Sequence, residues 1–177
     1  MDYKELFNQM HPDFFEAPYI RQMPESYVFA ELILELKKEV AVKIYTTIPS
    51  NITFGFYNGG IKKLLKAVES VDEDWCQYFS EDSRIFCAFD GEKIAAFCIL
   101  DEGGTFQGLR IGGPGCVGTV PEYRRQGIGL EMVRLATDIL QKEGFDISWI
   151  HYTHLEKWYS KLGYHTVLKW GSSGFRM

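Results

Sequence analysis

The clearest periodicity in the chain lies over residues 127–143. There Ile128, Met132, Leu135, Ala136, Ile139 and Leu140 share one stripe at helical spacing, and Gly144 supplies a stop. Upstream, Ile61, Leu64, Leu65, Val68 and Val71 mark another helix after Gly59-Gly60, and a short one carries Trp75, Tyr78 and Phe79. Residues 84–89 and 93–100 flank Asp90-Gly91, a two-residue sequence that favours a hairpin. The glycines over 103–115 predict a loop, with Gly112-Gly113-Pro114-Gly115 as a bend. Residues 146–151 read as a short strand. A short helix follows, in which Leu155, Trp158, Tyr159 and Leu162 form a stripe and Thr153 and Glu156 have capping-box spacing. Near the beginning, Leu32, Ile33, Leu36 and Val40 predict a helix over 24–39, with Pro24 in its first turn. Alternate apolar positions over 28–36 admit a strand instead, and residues 42–48 alternate as a strand.

Composition bounds the class. The chain has 177 residues, of which 46% are hydrophobic and 15% aromatic, enough for one domain with a substantial core. No apolar run approaches a membrane span, and the first residues, MDYKELFNQMHPD, carry no signal-peptide hydrophobic stretch, so a cytoplasmic protein is expected. A formal charge of -5 argues against a general nucleic-acid binder and mildly favours a cationic or neutral small partner. Cys76, Cys87, Cys98 and Cys116 have no CxxC spacing and read as reduced thiols, neither zinc ligands nor disulfides.

Candidate chemistry begins where the longest helix starts. Val117-Gly118-Thr119-Val120-Pro121-Glu122-Tyr123-Arg124-Arg125-Gln126-Gly127-Ile128-Gly129 reads as a strand, a glycine-bearing turn and a helix start. Such a turn aims backbone N–H groups at one point, where the helix dipole is positive, and that place binds phosphate. Neighbouring arginines add charge for a pyrophosphate. The turn is neither Walker A nor G-x-G-x-x-G. What stands is Arg124-x-x-Gly127-x-Gly129, and further on Trp158-Tyr159-Ser160-Lys161-Leu162-Gly163-Tyr164.

These two segments, in this order, resemble the acyl-CoA loop and the aromatic-Tyr-x-x-Leu-Gly-Phe/Tyr segment of the GNAT superfamily of N-acetyltransferases. The resemblance implies an α+β fold, sandwich-like, with a mixed and mostly antiparallel central sheet flanked by helices. Residues 41–177 would form the acyltransferase domain, with 1–40 as an N-terminal helical extension packed on it. It implies acetyl-CoA as co-substrate, no metal, and direct transfer to an amine in a ternary complex. The pyrophosphate would lie on Arg124, Arg125, Gln126, Gly127, Ile128 and Gly129, and pantetheine along Val117 and Thr119. Tyr159 would be the general acid for the departing thiolate. The pattern departs from the family in having Thr119 where Val is usual, and Tyr152 where an Asn usually precedes the second motif.

Other readings stay open at this level. The stripe containing Tyr159 also fits plain core packing. Asp101, Glu102, Glu122, His151 and His154 are candidates for a base, and none is assigned. A metal pair at His151 and His154 lacks a third ligand. A non-catalytic acyl-CoA-binding module and a nucleotide-binding α/β protein are the functional alternatives, and the amine acceptor is unidentified. Exposed aromatics in the extension are compatible with a homodimer.

Overall fold

The computed structural model describes residues 1–37 and 47–176. Eight strands form one sheet: β1 (Phe29–Glu35), β2 (Ile52–Phe56), β3 (Ile85–Asp90), β4 (Lys93–Phe106), β5 (Leu109–Thr119), β6 (Ile147–Thr153), β7 (His165–Gly171) and β8 (Gly174–Arg176). Their order is β2-β3-β4-β5-β6-β1-β7-β8. Every neighbouring pair is antiparallel except β5 and β6, which run parallel. The helices are α1 (Tyr3–Met10), α2 (Pro18–Arg21), α3 (Ile61–Glu69), α4 (Ile128–Lys142) and α5 (Glu156–Tyr159). The expected mixed, mostly antiparallel sheet flanked by helices is therefore present.

Alternation along the strands divides the core between two faces. Leu32 and Leu34 of β1, Phe86 and Ala88 of β3, Ala96, Cys98 and Leu100 of β4, and Ile150 of β6 pack against Met132, Val133, Ala136 and Leu140 of α4. The residues between them face the other way. At one end of that opposite face, Ile85, Cys87, Phe97 and Ile99 meet Leu64 and Val68 of α3. At the other end, Ile33, Ile147, Trp149, Leu168 and Trp170 meet Leu6 and Phe7 of α1 and Phe14 and Ile20 after it.

Three expectations need correction. Residues 29–35 are strand β1, not part of a helix, and β1 lies in the sheet between β6 and β7. Its side chains are buried on both faces, so Leu32 and Ile33 are both core although they point in opposite directions. The glycine-rich 103–115 is no loop: β4 and β5 form a long hairpin turning at Gln107-Gly108, and Gly112 to Gly115 lie within β5. The capping box does not form. Thr153 Oγ1 accepts from the Leu155 N–H at 3.0 Å, while Glu156 turns to Thr166 and Lys169. The strand expected over 42–48 falls largely outside the described residues, as does Val40.

Candidate functional site

Parallel pairing of β5 with β6 consists of two bridges, Ile111 with Ile147 and Gly112 with Ser148. Gly113 still lies against the Trp149 backbone, but no bridge to β6 follows Gly112, while β5 stays paired to β4 as far as Thr119 opposite Ala96. One edge of β5 is thus open toward the fissure, with backbone groups that an amide-bearing chain can satisfy. Within this stretch β5 also bulges. Cys116 and Val117 together face Cys98, because Gly115 pairs with Ile99 and Gly118 with Phe97, and Cys116 adopts φ 45°.

From Thr119 the chain passes through a 3₁₀ turn, Pro121–Tyr123, into α4. Tyr123 anchors that turn: its hydroxyl donates to Asp90 Oδ2 at 3.0 Å, and Asn51 Nδ2 donates to Asp90 Oδ1 at 2.8 Å. These bonds from Asn51 and Tyr123 hold the Asp90 carboxyl below its usual range. Arg124 Nε donates to the Thr119 carbonyl at 3.0 Å, and Gln126 Nε2 to that of Glu122 at 3.2 Å. Arg125 and Gly127 both adopt positive φ, 64° and 75°, a left-handed pair that winds the turn back over the helix axis.

The first helical bond runs from the Glu131 N–H to the Gly127 carbonyl at 3.0 Å, with no side-chain cap. The N–H groups of Gly127, Ile128, Gly129 and Leu130 are accordingly without an acceptor among the described residues. Gly129 brings this helix start against β5: a Cβ there would lie 2.4 Å from Thr119 Oγ1 and 3.7 Å from the Trp158 ring. Four bare donors, two arginines and the end of the fissure strand are therefore together, and Trp158 brings α5 to the same place.

Tyr159 and Tyr164 decide between core and chemistry. Both rings are buried. Tyr164 Oη bonds Ser148 Oγ at 2.6 Å and Thr137 Oγ1 at 2.8 Å, tying β6, α4 and the start of β7 together. Tyr159 Oη has no protein partner among the described residues, and it is not sealed from solvent either. A buried phenol ordinarily finds a partner for its hydroxyl. Burial, then the neighbouring Tyr164, Cys98 and Cys116, push the Tyr159 hydroxyl well above the usual phenol range, so it stays protonated. Its O–H is free to donate a hydrogen bond.

Of the residues singled out in the sequence, the stretch from Val117 to Gly129 forms one continuous wall ending at bare N–H groups. Val117 and Thr119 are half-buried on the fissure strand, Arg124 and Arg125 are exposed, and Ile128 and Gly129 are buried at the helix start. His154 is exposed and lies 6.2 Å from the Phe29 ring. Tyr152, where the family has Asn, adopts φ 55° and turns its N–H to Glu31. Burial pushes the Cys116 thiol up to about 12, which leaves it a poor nucleophile.

Sequence reading named Asp101 but missed the glycines packed around it. Asp101 of β4 pairs with Gly113 of β5, so both share the sheet face opposite α4. A Cβ on Gly115 would lie 2.6 Å from Asp101 Oδ2, and one on Gly113 would lie 1.9 Å from the Trp149 carbonyl oxygen. The glycines let neighbouring strands and the Asp101 carboxylate close over β5; only their density in the sequence signalled it. Burial pushes the Asp101 carboxyl up. A separate depression of about 720 Å³ lies between α3 and the following turn, walled by Lys62, Lys66, Glu69 and Glu73. Its walls include neither the helix start nor the fissure.

Comparison with known proteins gives this geometry a family. Residues 81–166 match the model of the acetyltransferase (GNAT) domain. The matched stretch is just under half of the chain and contains both motifs, so the resemblance they carried holds for residues 81–166. Among solved structures it is similar to the glucosamine N-acetyltransferase region of a fungal multi-domain GH3 β-N-acetylglucosaminidase, with TM-score 0.67 and 21% identity over 84% of this chain and 20% of that one. A GCN5-related N-acetyltransferase from Sphaerobacter thermophilus gives 0.62 and 16%, over 83% of this chain and 50% of that one. One from Kribbella flavida gives 0.56 and 17%, over 88% and 60%. These likenesses establish the fold alone, and the chain spans a fifth to three fifths of the length of those relatives. No curated protein matches the sequence. No described helix is long and apolar enough to cross a membrane.

Proposed function

We propose that this protein transfers an acetyl group from acetyl-CoA to an amine by direct attack within a ternary complex. The observation that carries the reading is the convergence of bare N–H groups at the start of α4 with an open edge of β5 and the unpartnered Tyr159 hydroxyl. The N–H groups of Gly127, Ile128 and Gly129 hold the pyrophosphate, with Arg124, Arg125 and Gln126 around it. Val117 and Thr119 pair their backbone with the pantetheine arm in the fissure. The Cys116–Val117 bulge offers a backbone N–H to the oxyanion that forms when the amine attacks the carbonyl. As the C–S bond breaks, Tyr159 gives its proton to the thiolate. Burial, which raises the Tyr159 hydroxyl above the usual phenol value of about 10, keeps its proton in place beforehand, and a hydrogen bond to the departing sulfur, whose thiol has a pKa of about 8.5, shares that proton as charge develops.

The test has two arms. CoA at 100 times its dissociation constant stabilises a binder by about 2.7 kcal/mol, a shift of about 5–11 °C for a chain of this size, whereas ATP and NAD should give no such shift. Thiol release from acetyl-CoA, corrected for hydrolysis, should appear across a panel of primary amines. A CoA shift without amine-dependent thiol release would leave a binding module; no CoA shift at all would end the reading.

A further inference from the structure

On the sheet face opposite α4, Glu31 of β1 is fully buried, 0% exposed, and ringed by donors. Trp149 Nε1–H donates to Oε2 and Trp170 Nε1–H to Oε1, each at 2.7 Å, and the Tyr152 N–H reaches Oε1 at 3.2 Å. His151 Nδ1 completes the set at 3.0 and 3.1 Å. Indole and amide N–H groups only donate, so the carboxylate accepts throughout and His151 meets it as the Nδ1–H tautomer. The lone pair then sits on Nε2, for which no protein partner occurs among the described residues.

Burying a carboxylate costs several kcal/mol even when it is paired, and an apolar side chain in its place would not. A charge kept in the core therefore marks a candidate site. His151 lies three residues past Ser148, on the part of β6 that has left β5, and it shares its sheet face with Gly113 and Asp101. The ring is half-buried. His11, just beyond α1, stacks on it at 3.9 Å, and Phe7 and Phe14 lie at 5.8 and 5.4 Å. The titratable groups facing it are Glu31 from β1, His11 from the α1 end and Tyr152 from β6; α1 and the turn after it otherwise present phenyl rings. Burial, then His151, lowers His11 to about 4, so His11 stays neutral at pH 7.

We propose that His151, oriented by Glu31, is the base that takes the proton from the acceptor ammonium. The inference rests on the acyltransferase reading above. An N–H bond of the ammonium breaks and its proton passes to His151 Nε2. The nitrogen lone pair so freed forms the C–N bond to the thioester carbonyl; as the C–S bond breaks, the nitrogen's second proton is released and replaces the one that Tyr159 gives to the thiolate. The imidazolium is paired with Glu31 through Nδ1–H and later loses the proton to solvent over its open edge.

The test follows transfer to ethanolamine, glucosamine, tyramine and a lysine-containing peptide between pH 6 and 10. His151→Asn should lose about 10²- to 10⁴-fold in kcat/KM at pH 7, recover as rising pH deprotonates the amine unaided, and keep the wild-type CoA shift. Imidazole in the buffer should restore His151→Gly. Independently of any variant, ¹⁵N shifts of the wild-type imidazole should show the proton on Nδ1. An unchanged pH profile in His151→Asn, a proton on Nε2, or transfer to none of the four amines by a protein that binds CoA each overturns the assignment and leaves CoA capture standing. Loss of the wild-type CoA shift would instead remove the reading on which it rests.

Discussion

Removing one oxygen from each of two buried tyrosines should give opposite results. In Tyr164→Phe, Ser148 Oγ and Thr137 Oγ1 lose bonds of 2.6 and 2.8 Å inside the core, although Thr137 keeps its bond to the Val133 carbonyl. Each such bond contributes about 0.5–1.5 kcal/mol net, and a stranded buried hydroxyl costs about 1–3 kcal/mol. One lost bond at Thr137 and one stranded hydroxyl at Ser148 together come to about 1.5–4.5 kcal/mol, a fall in Tm of about 3–18 °C at this chain length. Tyr159→Phe breaks no protein hydrogen bond, so its stability should stay within about 0.5 kcal/mol of wild type, a Tm change of about 1–2 °C. Turnover should behave the other way. Tyr159→Phe should lose about 10²- to 10⁴-fold in kcat, because the departing thiolate loses its donor, with the loss greatest at low pH. Tyr164→Phe should keep turnover below its melting range. Calorimetry on both variants, with thiol release from acetyl-CoA on the same preparations, reads all four quantities. If Tyr159→Phe melts as low as Tyr164→Phe and turns over like wild type, Tyr159 is a core residue and the general-acid assignment fails.

Gly129→Ala puts a Cβ 2.4 Å from Thr119 Oγ1 and should weaken CoA binding at least tenfold by pushing the helix start off β5; Thr119→Ala in the same chain should restore much of it, and a single variant with wild-type affinity would deny the close approach. Gly113→Ala meets the Trp149 backbone oxygen at 1.9 Å, which cannot rotate away. It should destabilise by about 1–3 kcal/mol or more, seen as a lowered urea midpoint, whereas an unchanged midpoint would mean the strands are not this close. His11 has a native pKa of about 4 against 6.5 for the free side chain. The unfolded chain thus binds more protons between those values, and stability should rise with pH across that window. His11→Phe should flatten the dependence of Tm on pH from 4 to 6.5; an identical slope would show that His11 is not buried neutral.

α3, α4, α5 and the β3–β4 hairpin were legible because a single signal dominated each. Six apolar residues on one stripe admit only a helix for α4, and Asp90-Gly91 sits at its turn. β1 was read first as a helix, with a strand as the alternative, because burial on both faces makes nearly every position apolar and blurs the alternation. Leu32, Ile33 and Leu34 are all core, and the overlap with a 3.6-residue period is accidental. Glu31, an acidic residue between Ala30 and Leu32, was the available clue that something must neutralise it. β5 was hidden for a different reason. Its glycines are there to admit Asp101 and Trp149, and a residue without a side chain leaves no periodicity to read. β2, which forms a sheet edge, alternates too weakly to declare itself. The site divides in the same way. The loop from Arg124 to Gly129 carries its chemistry in its own residue types, whereas the Cys116–Val117 bulge and the Glu31–His151 pair exist only through strand pairing between distant segments.

Calorimetric titration of the wild-type protein with CoA and with pantetheine, which lacks the pyrophosphate, bears most directly on the central claim. Anion capture by the first N–H groups of α4 predicts that CoA binds at least 100-fold more tightly, and that raising salt narrows the gap as the charged contacts are screened. Equal affinities for the two ligands, or a preference for CoA that survives disruption of the Gly127–Gly129 turn, would contradict it.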